Sequence, residues 1–158
     1  MQLTHLSPDV ISLAIIAGGV AYGVFRGAPG VRIAILAAAA GFVAATQLAS
    51  YIPKSAGLPD GTIQVAIVAA VILAFGLTQH RPIRHGSVMV GAIGGGVAGV
   101  FALSMALTAV PSASRAWLTS NSLILAEVQS LQVVILMVAL GVGIAIPLFY
   151  HHQARSHH

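Results

Sequence analysis

The chain has 158 residues, of which 58% are hydrophobic and 6% charged, with a formal charge of +4 and no cysteine. A soluble domain carries about 25% charged residues, so this composition cannot cover a water-exposed surface. Disulfides, thiolate metal sites and cysteine nucleophiles are excluded, and the basic residues stand singly or in pairs, which is no signature of nucleic-acid binding.

Five apolar runs free of interior charge fill most of the sequence. A hydrocarbon core of about 30 Å needs about twenty helical residues to cross it, so each run is expected to be a spanning helix. The first is Val10–Phe25. The residues before it form no positive n-region and no small-residue cleavage site follows it, so we expect a retained helix and not a signal peptide. The second run, Val31–Tyr51, leads into the Pro/Gly loop Tyr51–Gly61, where Pro53 and Pro59 end and space the helices. Thr62–Gln79 and Ser87–Val110 are the third and fourth.

Pro111–Ser130 then holds the single tryptophan, Trp117, which suits a membrane interface. Leu131–Tyr150 is the fifth run. Leu123–Ser130 is apolar enough to lie on the membrane surface or to lengthen that helix. An unbroken Leu123–Tyr150 helix would reach about 42 Å at 1.5 Å per residue, so a tilt or a bend near Ser130 is expected. Pro147 would kink only the last turn. The expected fold class is all-α: one polytopic transmembrane domain of five helices over residues 1–158, with an interfacial segment at 111–130.

Arg26, Arg32, Arg81, Arg84 and Arg155 fall on one side of this threading, and Lys54 and Arg115 on the other with Asp9, Asp60 and Glu127. Positive charge concentrates in cytoplasmic loops, so the N-terminus is expected outside and the C-terminus inside a bacterial inner membrane. Arg26, Arg32, Arg81 and Arg84 would form a basic rim on the cytoplasmic leaflet, where each attracts anionic headgroups by about 1 kcal/mol. Val20–Gly30 and Leu73–Ile83 echo one another at an offset of 53 residues, which would make the first four runs two tandem hairpins of like orientation.

Lipid tails are as apolar as leucine, so helices in a membrane associate through close backbone approach at small residues. Two ladders have the required four-residue spacing: Gly19, Gly23 and Gly27 on the first run, and Gly91, Gly95 and Gly99 on the fourth. A second stripe on the fourth run, Gly94, Ala98, Ala102 and Ala106, suggests neighbours on two faces and a place at the bundle centre. We read these residues as packing surfaces and not as the walls of a substrate path.

Catalytic signals are weak. No charged residue falls near a helix midpoint, which argues against proton-relay or sodium-coupled mechanisms built on a midplane carboxylate. The polar residues in or beside the spans are Tyr22, Thr46, Gln47, Gln64, Thr78, Gln79, Ser104 and Thr108; Ser104 and Thr108 are expected to bond back to their own helix. His80 and His85 do not share a helical face, and His151, His152, His157 and His158 form a tail. Gly94–Gly96 lies mid-helix and makes no nucleotide loop. We therefore expect no catalytic residues, no metal and no cofactor, with membrane lipids and other membrane subunits or further copies of the chain as partners.

The opening Pro8–Gly27, with Asp9 followed by Gly23, Arg26 and Gly27, resembles the start of the colicin V production family of bacterial inner-membrane proteins. Arg84–Val100 is similar to that family's later Gly-rich helix, and Trp117–Ser122 to the Trp/Ser stretch after it. His85-Gly86 stands where the family commonly has an acidic residue. Over residues 8–125 the resemblance implies a non-catalytic scaffold or accessory in export or envelope maintenance. Two alternatives stay open from the residues themselves: a small integral subunit of a larger respiratory, photosynthetic or transport complex, and a small oligomeric transporter.

Overall fold

The computed structural model describes residues 7–48, 51, 61–77 and 88–155. They form α1 (Pro8–Leu48), α2 (Thr62–Leu77), α3 (Val88–Ala109), α4 (Ser112–Ser120), α5 (Leu123–Ser130) and α6 (Gln132–Arg155). Pro8 suits the first helical turn, where its missing N–H costs nothing, and Asp9 complements the positive end of the helix.

Element α1 is not a single rod. Gly27 has φ 65° and ψ −171°, a region essentially confined to glycine, and Pro29 then opens a fresh helical turn. The two arms, residues 8–26 and 28–48, fold back on each other. A side chain added at Gly30 would meet Tyr22 Cε1 at 3.4 Å and Arg26 Cγ at 3.3 Å. The first arm runs antiparallel to α3, with Gly19 beside Gly99, Gly23 beside Gly95 and Gly27 beside Gly91. The second arm runs alongside α3 in the opposite sense, starting from Val31 against Gly94.

Helix α2 packs mainly on α1, with Val68 against Gly41 of the second arm. Helix α3 packs against α1, α2, α5 and α6. Its core partners are Val31, Ile35 and Ala38 of the second arm and Ala139 of α6, grouped around Ala98, Phe101 and Met105. A smaller cluster joins Leu103 and Leu107 to Leu125 and Val128 of α5.

By length and apolarity two elements can cross a membrane, Pro8–Leu48 and Val88–Ala109, and a third if the α5–α6 pair is one broken span. By this measure the five separate spanning helices expected from the sequence are not reached, because both arms of α1 count as one element and α2, at 16 residues, is short. The first two expected helices join at Gly27 without a loop, because one glycine supplies the reversal. The interfacial segment folds as α4 and α5, with a bend near Ser130 as expected. Ser122 starts α5 as a separate unit by accepting a bond from Leu125 N at 3.1 Å, and α5 bends from α6 by 72° across Leu131. The second member of the proposed repeat falls partly on residues 78–83, outside the described residues.

Polar groups gather at one end of the bundle. Asp9 accepts hydrogen bonds from Ser122 Oγ and from Ile124 N, the latter at 3.2 Å, tying the start of α1 to the start of α5. Arg115 Nη2 donates to the carbonyls of Thr108 (2.7 Å) and Val110 (2.9 Å), closing the C-terminus of α3. Gln132 Nε2 donates to Thr108 Oγ1 at 2.7 Å, and that hydroxyl donates to Ser104 O at 2.7 Å. The expected back-bond of Thr108 is thus present together with a bond from α6.

Gly27→Ala should lower the thermal midpoint in detergent by the equivalent of about 1–3 kcal/mol, the cost of a strained backbone. An unchanged midpoint would place the reversal elsewhere. Asp9 precedes the apolar run, and the Ser122 hydroxyl, then the Ile124 and Leu123 N–H groups, hold its carboxyl below the usual range. The clamp therefore stabilises fully above the ordinary carboxylate value of about 4. Its contribution is lost as pH falls through the depressed folded value. Melting curves from pH 6 to pH 2 should show this acid-side loss in the wild type and a flatter profile in Asp9→Asn.

Candidate functional site

The glycines singled out from the sequence meet as one seam. A Cβ built on Gly19 would lie 2.9 Å from Gly99 Cα, one on Gly23 2.8 Å from Gly95 Cα, and one on Gly95 2.9 Å from Gly23 Cα. Real Cβ atoms do not approach backbone this closely, so the two backbones touch directly. Gly91 adjoins the Gly23 carbonyl and lies 3.4 Å from Gly27 Cα by the same construction. All six ladder residues therefore take part in one interface. Glycine has a packing reason at each position, and at Gly27 a conformational one as well.

Beside this seam lies a groove of about 480 Å³ between both arms of α1, α2 and α3. Four first-arm positions lie along it in helical register: Arg26 at one end, then Tyr22, Gly18 and Ile15. Ala34 and Ala37 of the second arm and Ala98 and Ala102 of α3 form its floor. Leu73 and Phe75 of α2 form an exposed lip. The groove exists because small residues recede along three helices. Gly18 and Gly76 face open space, with no atom within 4 Å of an added Cβ.

Polarity is confined to the Arg26 end. Arg26 Nη2 donates to Gly76 O at 3.3 Å, binding the α1 reversal to the end of α2. Tyr22 Oη, one turn deeper, is buried and has no hydrogen-bond partner among the described residues. A buried hydroxyl without a partner typically costs 1–3 kcal/mol.

Of the expected basic rim, Arg26 is partly buried at the groove and Arg32 is exposed, while Arg81 and Arg84 lie outside the described residues. No group of three His, Asp or Glu side chains able to hold a metal occurs among the described residues. Sequence reasoning missed two features. The sequence marks Tyr22 as one polar residue among several, although its i, i+4 spacing from Arg26 places both on one face. The Asp9–Ser122 clamp joins residues 113 positions apart, and no local pattern announces such a pair. Comparison with family models, curated proteins and solved structures finds no match.

Gly95→Leu should abolish recovery of folded, monodisperse protein, because its side chain would enter the first-arm backbone. Gly96→Ala should be tolerated, since its added Cβ meets only Val20 Cγ2 at 3.4 Å. Size-exclusion profiles and melting curves of the two variants check this, and a normally folded Gly95→Leu protein would contradict the seam.

Proposed function

We propose that this chain is a non-catalytic, multi-pass protein of the bacterial inner membrane that serves as a scaffold or accessory in export or envelope maintenance. In this reading the chain crosses five times: the two arms of α1, then α2, α3 and the α5–α6 unit. The N-terminus is outside and the C-terminus inside. The alternating directions of the arms and α3 support this threading, as does the placement of Asp9 and Arg26 at opposite ends of the first arm.

The observation that carries the scaffold role is the glycine seam. Backbone-to-backbone contact gives a rigid pair of helices at the centre of the bundle and leaves no lumen between them. The outer face of α6, with Val133, Met137, Leu140 and Ile144 all exposed, has the apolar character that contact with lipid or with another membrane subunit requires. This face also suits the alternative of a small subunit in a larger membrane complex.

The absence of native cysteine makes the threading directly testable. In intact cells, Ser7→Cys should react with a membrane-impermeant maleimide, and Ser156→Cys should react only after permeabilisation. Equal labelling of both ends from one side would refute five crossings. Native mass measurement after mild-detergent extraction tests the role: a homo-oligomer or a small accessory complex supports the scaffold. Co-migration with a pigment- or haem-bearing complex favours the subunit reading, and a lone monomer contradicts both.

A further inference from the structure

We infer that the groove between the arms of α1 and helices α2 and α3 is a binding site for one anionic phospholipid of the inner leaflet. Its acyl chain would lie along the groove and its phosphate at Arg26.

Three observations fix the occupant. The first is length. From Arg26 to Ile15 the groove follows eleven residues of helix, about 16 Å at 1.5 Å per residue. Half of a hydrocarbon core of about 30 Å is about 15 Å, so the groove extends from the Arg26 boundary to near the midplane, the reach of a lipid tail from one leaflet.

The second is the order of chemistry along the first arm. A phospholipid presents an anionic phosphate, then ester oxygens, then hydrocarbon. The groove presents a guanidinium, then the Tyr22 side chain one turn deeper with its hydroxyl enclosed, then the wholly apolar Gly18 and Ile15.

The third is charge. Among the described residues the acids Asp9 and Glu127 lie at the other end of the bundle, so the field at the Arg26 end is positive and selects an anionic headgroup. The floor of Ala34, Ala37, Ala98 and Ala102 is apolar and shallow, which suits a flexible chain and offers no polar group to a soluble metabolite. The inference needs the membrane placement proposed above but not the scaffold role. Its test is made in micelles, so it fails or succeeds separately from the labelling of the chain ends.

Delipidated protein in detergent would be titrated with phosphatidylglycerol and with phosphatidylcholine, and the bound lipid counted by native mass spectrometry. One phosphatidylglycerol should bind, about fivefold more tightly than phosphatidylcholine, as a single basic group near a lipid surface implies. Arg26→Gln should erase that preference and Arg26→Lys should keep it. Gly18→Leu and, separately, Gly76→Leu should block both lipids, because each side chain would enter open space in the groove. Gly141→Leu, which also meets no neighbouring atom but lies on α6 outside the groove, should bind as the wild type does. Unaltered binding in both groove-filling variants would overturn the site. So would equal affinity for the two lipids, or displacement of the bound lipid by millimolar inorganic phosphate.

Discussion

Contact between the backbones of the first arm and α3 is the constraint on which the other packing depends. Two helices surrounded by lipid gain nothing from hiding apolar side chains, so their association must come from dispersion at short range and from polar bonds. Glycine at Gly19, Gly23, Gly91, Gly95 and Gly99 removes the side chains that would hold the backbones apart. With the first arm seated so closely, Gly27 arrives beside Gly91, and the reversal there sets the second arm against the next face of α3. Helix α3 thereby acquires neighbours on two sides, and α2 and α6 complete the bundle around it.

The two ends are closed by different chemistry. At the Asp9 end, a carboxylate, a serine cap and an arginine satisfy the free backbone groups of α3 and α5. Unsatisfied groups of this kind cost several kcal/mol wherever water is excluded. On either side of the 72° bend between α5 and α6 each helix is held at its own start, α5 by the Ser122 cap and α6 by Gln132 bonded to Thr108. At the other end Arg26 spans from the α1 reversal to the C-terminal part of α2. The molecule is thus pinned at both ends, with small-residue contacts between.

The groove and the seam share one origin. Small residues placed so that helices can touch also leave hollows wherever a third helix does not follow the surface. Between the arms and α2 such a hollow remains, and its polar groups are graded along one helix face. A scaffold that also holds a lipid would couple its own rigidity to the leaflet around it, since the lipid would fill the hollow that the protein leaves. This links the proposed role to the proposed ligand through packing alone.

Sequence by itself determined the helical class, the apolar runs and the glycine ladders, because these follow from local composition and a fixed helical period. Gly19, Gly23 and Gly27 show their spacing to any reader of the chain, as do Gly91, Gly95 and Gly99. Only the tertiary structure decided that the two ladders face each other, that Gly27 turns the chain within one residue, and that residues 112–130 form two helices set at an angle to α6. It alone placed Tyr22 and Arg26 at a hollow and Asp9 against Ser122. Those outcomes depend on contacts between residues far apart in the chain, and a nearly uniform run of Ala, Gly, Val and Leu carries no local signal of which faces will meet.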